Sequence, residues 1–171
     1  TSGTVTESIS TASLDLTVVG PTSSILYSTV PANVYSDGII AGWTCTAGAN
    51  GTLRIRMTVA DASQGYAVEI DVTAASITIK DRVASSTLAT VSVSNVQLSF
   101  LVGVNNGKIQ VWYRESGDAD FLRPWVSALS TTTLSDAAGS TYTTNLVEWG
   151  LYGAGSGSFR AFNYITDDTT A

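Results

Sequence analysis

A chain of 171 residues, 44% apolar and only 13% charged, is long enough to bury one sizeable core and suits a single domain, 1–171. Its net charge of −6 without a basic cluster argues against nucleic acid, and the absence of histidine excludes Ser-His-Asp chemistry, Cys-His chemistry and the usual zinc sites. Cys45 is the only cysteine, so no internal disulfide exists, and no run of about eighteen apolar residues offers a membrane-spanning helix, so no membrane insertion is expected.

The start on Thr-Ser-Gly rather than methionine reads as processed or cut from a longer protein. Ser, Thr, Gly, Ala and Val dominate, with little Lys or Glu, which disfavours helices and suits strands and turns. Such composition recurs in extracellular bacterial modules and virion proteins, so an extracellular or virion-surface location is expected.

Residues 1–24 read as an extended N-terminal arm or an edge strand, with alternation at Leu14, Leu16 and Val18 and closure at Gly20-Pro21. A short strand follows at Ile25–Tyr27, bounded by Pro31. Ile39 to Cys45 forms a buried segment in which Cys45 shares the apolar phase of Ile39, Ala41 and Trp43, as an inert thiol does. After a turn over residues 47–51 the alternation is clean. Leu53, Ile55, Met57 and Val59 face one way, and Arg54, Arg56 and Thr58 the other. Tyr66, Val68, Ile70 and Val72 oppose Ala67, Glu69 and Asp71; Ile77 and Ile79 oppose Thr78 and Lys80. Leu88 to Val93 is a further strand.

Asn106-Gly107 then centres a long hairpin, because both middle residues of a type I′ turn need positive φ. Leu98, Phe100, Val102, Val104, Ile109, Val111 and Tyr113 share one face. Ser99, Leu101, Gly103, Gln110, Trp112 and Arg114 share the other. Residues 115–145 read as loops, with Trp125 after Arg123-Pro124 as an anchor or a rim residue. Strands resume at 146–152 and 159–165, joined by the glycine-rich turn 153–157, which precedes no helix and so is no phosphate loop. No repeat and no amphipathic helix appears.

The predicted fold is all-β, a two-sheet antiparallel β-sandwich. Its core comprises Leu53, Ile55, Tyr66, Val68, Ile70, Ile77, Ile79, Phe100, Val102, Ile109, Val111, Tyr113 and Trp149, with Trp43 also in an apolar phase. If these pack inward, Arg54, Arg56, Glu69, Asp71, Thr78, Lys80 and Arg82 line up with Gln110, Trp112 and Arg114 across the outside of one sheet. A flat indole stacks on the C–H face of a sugar, and planar guanidinium and amide groups bind hydroxyls or acidic substituents in pairs. Opposite charges on neighbouring strands also stabilise one another without any ligand. Asp118, Asp120, Asp136, Asp167 and Asp168 are scattered carboxylates, of which Asp118-Ala119-Asp120 is only a fragment of a calcium site. A structural calcium on these loops stays open, with solvated acids as the default reading, and no other cofactor is expected.

Three segments, in order, resemble the concanavalin A-like jelly roll of the laminin-G and legume-lectin type. They are Gly65-Tyr-Ala-Val-Glu-Ile-Asp71, Asn106-Gly-Lys-Ile-Gln-Val-Trp-Tyr113, and Glu148-Trp-Gly-Leu-Tyr-Gly153 with Phe159-Arg-Ala-Phe-Asn-Tyr-Ile165. The resemblance covers residues 50–165 and implies a jelly roll whose concave sheet holds extended glycans. Glycosidases of this family carry Glu-x-Asp-x-x-Glu on one strand. Here Glu69-Ile-Asp71 supplies the first half, but Ala74 stands where the second glutamate belongs. The resemblance therefore implies a non-enzymatic, lectin-like module recognising a host-surface polysaccharide, on a phage tail, a virion or a bacterial surface protein. The ligand-binding set is Trp112, Arg114, Gln110, Arg54, Arg56, Glu69, Asp71 and Lys80. The rival expectations are a structural virion protein contacting neighbouring subunits and, third, a glycoside hydrolase or lyase.

Overall fold

The structure, a computed structural model, describes residues 4–9, 14–19, 25–29, 38–48, 50–60, 64–94, 97–116, 125–137 and 146–165. Among them are thirteen strands, numbered β1 to β13 in chain order, and no helix. One sheet runs in the spatial order β1 (Thr4–Ile9), β2 (Leu14–Val19), β13 (Gly155–Ile165), β4 (Gly38–Ala47), β9 (Gln97–Asn105), β10 (Lys108–Ser116), β11 (Val126–Thr133). The other runs β3 (Ile25–Thr29), β12 (Leu146–Tyr152), β5 (Thr52–Ala60), β6 (Gly65–Val72), β7 (Ser76–Asp81), β8 (Ser86–Ser92). Neighbouring strands are antiparallel throughout. This is the expected two-sheet jelly-roll sandwich.

The inner faces carry the predicted apolar sets. Ile55, Ile70 and Ile79 stand side by side across β5, β6 and β7. Val102 faces Val111 and Val104 faces Ile109 in the β9–β10 hairpin, and all of these are buried. Tyr66, Tyr113 and Trp149 pack on the margin of this core, half-buried. Cys45 lies inside it, where burial pushes the thiol pKa far up and leaves it unreactive.

The Asn-Gly turn forms as its sequence requires, with φ of 47° at Asn106 and 68° at Gly107. Its tip is tied down from outside the hairpin. The Leu134 amide donates to the Gly107 carbonyl at 2.7 Å, and a Cβ at Gly107 would meet the Tyr66 ring at 2.7 Å. The same segment closes on β6, because the Asp136 carboxylate accepts the Gly65 amide at 3.0 Å and the Ala137 amide donates to the Gly65 carbonyl at 2.8 Å. Gly107→Ala should therefore cost about 1–3 kcal/mol, from the left-handed backbone and the displaced ring together. A urea midpoint that falls at unchanged slope is the expected result; an unmoved midpoint would contradict the strain.

Two expectations need correction. The N-terminal segment makes a hairpin of two strands rather than one edge strand: β1 forms the edge and β2 pairs with both β1 and β13. Residues 126–133, expected in a loop, form β11 alongside β10. The cause of the second miss is visible. The β10–β11 register shifts between Ile109 and Val111 and again between Val111 and Trp112. Such bulges break the period of two, so the consecutive residues Ala128 and Leu129 are both buried.

Candidate functional site

The eight expected site residues do not share a sheet. Arg54, Arg56, Glu69, Asp71 and Lys80 lie on the outside of the six-stranded sheet. Gln110, Trp112 and Arg114 lie on the outside of the seven-stranded one. The chain crosses between sheets after β8, and alternation within a strand says nothing about which sheet that strand joins. The single continuous face is therefore replaced by two opposite ones.

On the six-stranded sheet the register sets Arg54 opposite Asp71, and Arg56 opposite Glu69, which in turn faces Lys80. Arg54 grips Asp71 with two hydrogen bonds, of 2.7 Å and 2.9 Å, and reaches Glu69 at 3.3 Å. Arg56 donates to Glu69 at 2.8 Å, while Lys80 donates to Asp71 at 2.6 Å and to Glu69 at 3.2 Å. Tyr152 stacks on the lattice, with the Arg54 guanidinium 3.4 Å from its ring centroid. Arg54, Glu69 and Asp71 are buried by these contacts.

Burial would raise the Asp71 pKa, but the bonds from Arg54 and Lys80 outweigh it and hold the carboxyl below the usual carboxylate range. Burial likewise works against the charge of Arg54, and its partners Asp71 and Glu69 more than restore it. Two carboxylates committed to three cations make a rigid charged patch.

The outside of the seven-stranded sheet is built differently. Trp112 projects from β10 opposite Leu101 of β9, with Gly42 of β4 next in the row. Gln110 lies opposite Gly103 and donates its amide to the Thr131 hydroxyl of β11. Arg114 holds its guanidinium 5.1 Å from the ring centroid of Trp125, which is 44% exposed at the entrance to β11. Trp112, Arg114 and Gln110 are half-buried, so each keeps a surface toward solvent.

Trp125 and Tyr152 were absent from the expected site set. Tyr152 was legible, since it lies two residues beyond Gly150, which the register places beside Arg54 on the outer face. Trp125 was not, because only the unanticipated β11 brings it to Arg114. Asp118, Asp120, Asp167 and Asp168, the side chain of Trp43 and residues 117–124 lie outside the described residues. Among the described ones, no three metal-ligating side chains cluster, and Asp136 binds the Gly65 amide.

No protein-family model matches the sequence, and no curated protein matches it. Among solved structures, a Bacillus subtilis protein of unknown function with a galectin-like fold is 11% identical and superposes with a TM-score of 0.60, over 96% of this chain and 87% of that one. The architecture is a galectin-like sandwich. A functionally unknown Saccharomyces cerevisiae protein is similar over 96% of both chains, at 9% identity and a TM-score of 0.59. The GH43 protein BlXynB of Bacillus licheniformis is 15% identical with a TM-score of 0.53; 84% of this chain matches, spanning 33% of that one. At such identities the likeness is one of fold alone.

Proposed function

We propose that this sandwich is a non-enzymatic, lectin-like module that binds a cell-surface polysaccharide through the outer face of its seven-stranded sheet. The observation that carries the reading is Arg114 stacked on the exposed ring of Trp125, with Trp112 and Gln110 on the same strand. Exposed aromatic rings on a rigid sheet give a sugar its stacking surface, and fixed guanidinium and amide donors beside them orient its hydroxyls. The engagement of Glu69 and Asp71 in ion pairs supports binding without hydrolysis. A module of this kind fits the surface of a virion or tail, or of a bacterial surface protein, facing host glycans.

The test is a polysaccharide panel run in affinity gels on the parent, Trp112→Ala and Trp125→Ala, with thermal melting as the fold control. Each substitution should weaken retention about thirtyfold, the loss of about 2 kcal/mol that removing a central aromatic contact brings. Chelator should change nothing, because no metal takes part. Exposed Val126, on the edge strand β11, favours one rival, a structural virion module that pairs this edge with a neighbouring subunit. Variants that stay folded and bind as the parent does would move that rival ahead.

A further inference from the structure

Resting on the glycan-binding reading of this face, we infer that its ligand is an acidic polysaccharide, with a sugar carboxylate seated on Arg114. Three observations converge. The chain carries a net charge of −6, yet the described side chains on the outside of β9, β10 and β11 bear only positive formal charge, at Lys108 and Arg114. Lys108 stands at the hairpin tip and Arg114 at the tryptophans, so Arg114 is the cation of the aromatic patch itself.

The Arg114 guanidinium is not spent on the protein either. Its Nε is buried and meets no hydrogen-bond acceptor among the described residues, whereas Arg54 and Arg56 both donate Nε to carboxylates. The group lies 5.1 Å from the ring centroid of Trp125, a contact that orients a guanidinium without using its N–H donors. A planar guanidinium beside an aromatic ring, with no carboxylate of the described residues paired to it, matches a carboxylate in its two-bond geometry through its outer Nη donors. A neutral sugar hydroxyl would use one donor and leave the charge unanswered. The acidic remainder of the protein does not oppose this at close range, because its field is screened within about 8 Å at physiological salt.

Polygalacturonate and alginate, as carboxylated probes, are compared with dextran and starch in affinity gels and by titration calorimetry, from about 0.05 M to about 0.5 M salt. The parent should bind the carboxylated polymers in preference, and more weakly as salt rises. Arg114→Gln should weaken that binding about tenfold, as loss of a charge-assisted hydrogen bond does. Arg114→Lys should recover only part of it, since a point charge lacks the fork. Equal binding of dextran and polygalacturonate, with Arg114→Gln unchanged and Trp112→Ala still impaired, would overturn the acidic ligand and leave the glycan site standing. Full recovery in Arg114→Lys would reduce the effect to charge alone and overturn the seated carboxylate. Binding of polygalacturonate untouched by both Trp112→Ala and Trp125→Ala would remove the site, and this inference with it.

Discussion

Phe100→Ala is expected to destabilise the domain by about 3–5 kcal/mol, because the site cannot collapse around the space left behind. Phe100 is 1% exposed and sits near the middle of the seven-stranded sheet, with Trp43 of β4 and Tyr113 of β10 as its register neighbours. From there it packs into the common core toward the opposing sheet. Two flanking strands hold its backbone, so the cavity persists rather than filling by a strand shift. Small domains hold a margin of about 5–15 kcal/mol, and losing several of these leaves the chain poorly folded at body temperature. A urea melt showing a loss under about 1 kcal/mol would mean that the two inner faces do not meet at this residue.

Asp71→Ala should cost a comparable amount, about 3–5 kcal/mol, for a different reason: it strands a charge rather than opening a hole. Arg54, at 7% exposure, loses both of its short bonds to Asp71, and its one remaining carboxylate is Glu69, at 3.3 Å, beside the uncharged ring of Tyr152. Lys80 loses its 2.6 Å partner as well. The pH dependence follows from the direction of the shift. Asp71 titrates below its unfolded-state value of about 3.9, so its contribution is complete above that pH and is lost as pH falls through the folded value. Parent and variant should accordingly differ most near neutrality and converge in acid. A difference that stays constant from about pH 7 to about pH 2 would show that the carboxylate charge does not stabilise the lattice.

Much of this fold was legible in the sequence because its strands announce themselves separately. The alternation from Leu53 to Ile79 and the Asn106-Gly107 turn each specify a face and a register from local chemistry alone, and the structure keeps them. What local chemistry does not carry is the assignment of a strand to a sheet. Arg56 and Trp112 both point outward from their strands, as their phase requires, yet they emerge on opposite sides of the sandwich. The expected site divided for that reason. Within each half the pairing was readable, since Arg54 opposite Asp71 and Arg56 opposite Glu69 follow from one register. The partnership of Arg114 with Trp125 was not readable, because it depends on a bulged strand whose buried residues, Ala128 and Leu129, are adjacent.

The two outer faces make opposite demands on one measurement, a nuclear magnetic resonance titration of labelled protein with a galacturonate oligomer. Binding on the seven-stranded sheet should move the indole N–H signals of Trp112 and Trp125 and the Nε–H signal of Arg114, while the amides of β5 and β6 stay in place. Shifts confined to Tyr152, Arg56, Lys80 and their strands, with both indoles unmoved, would put the site on the ion-pair lattice and contradict binding on the seven-stranded sheet.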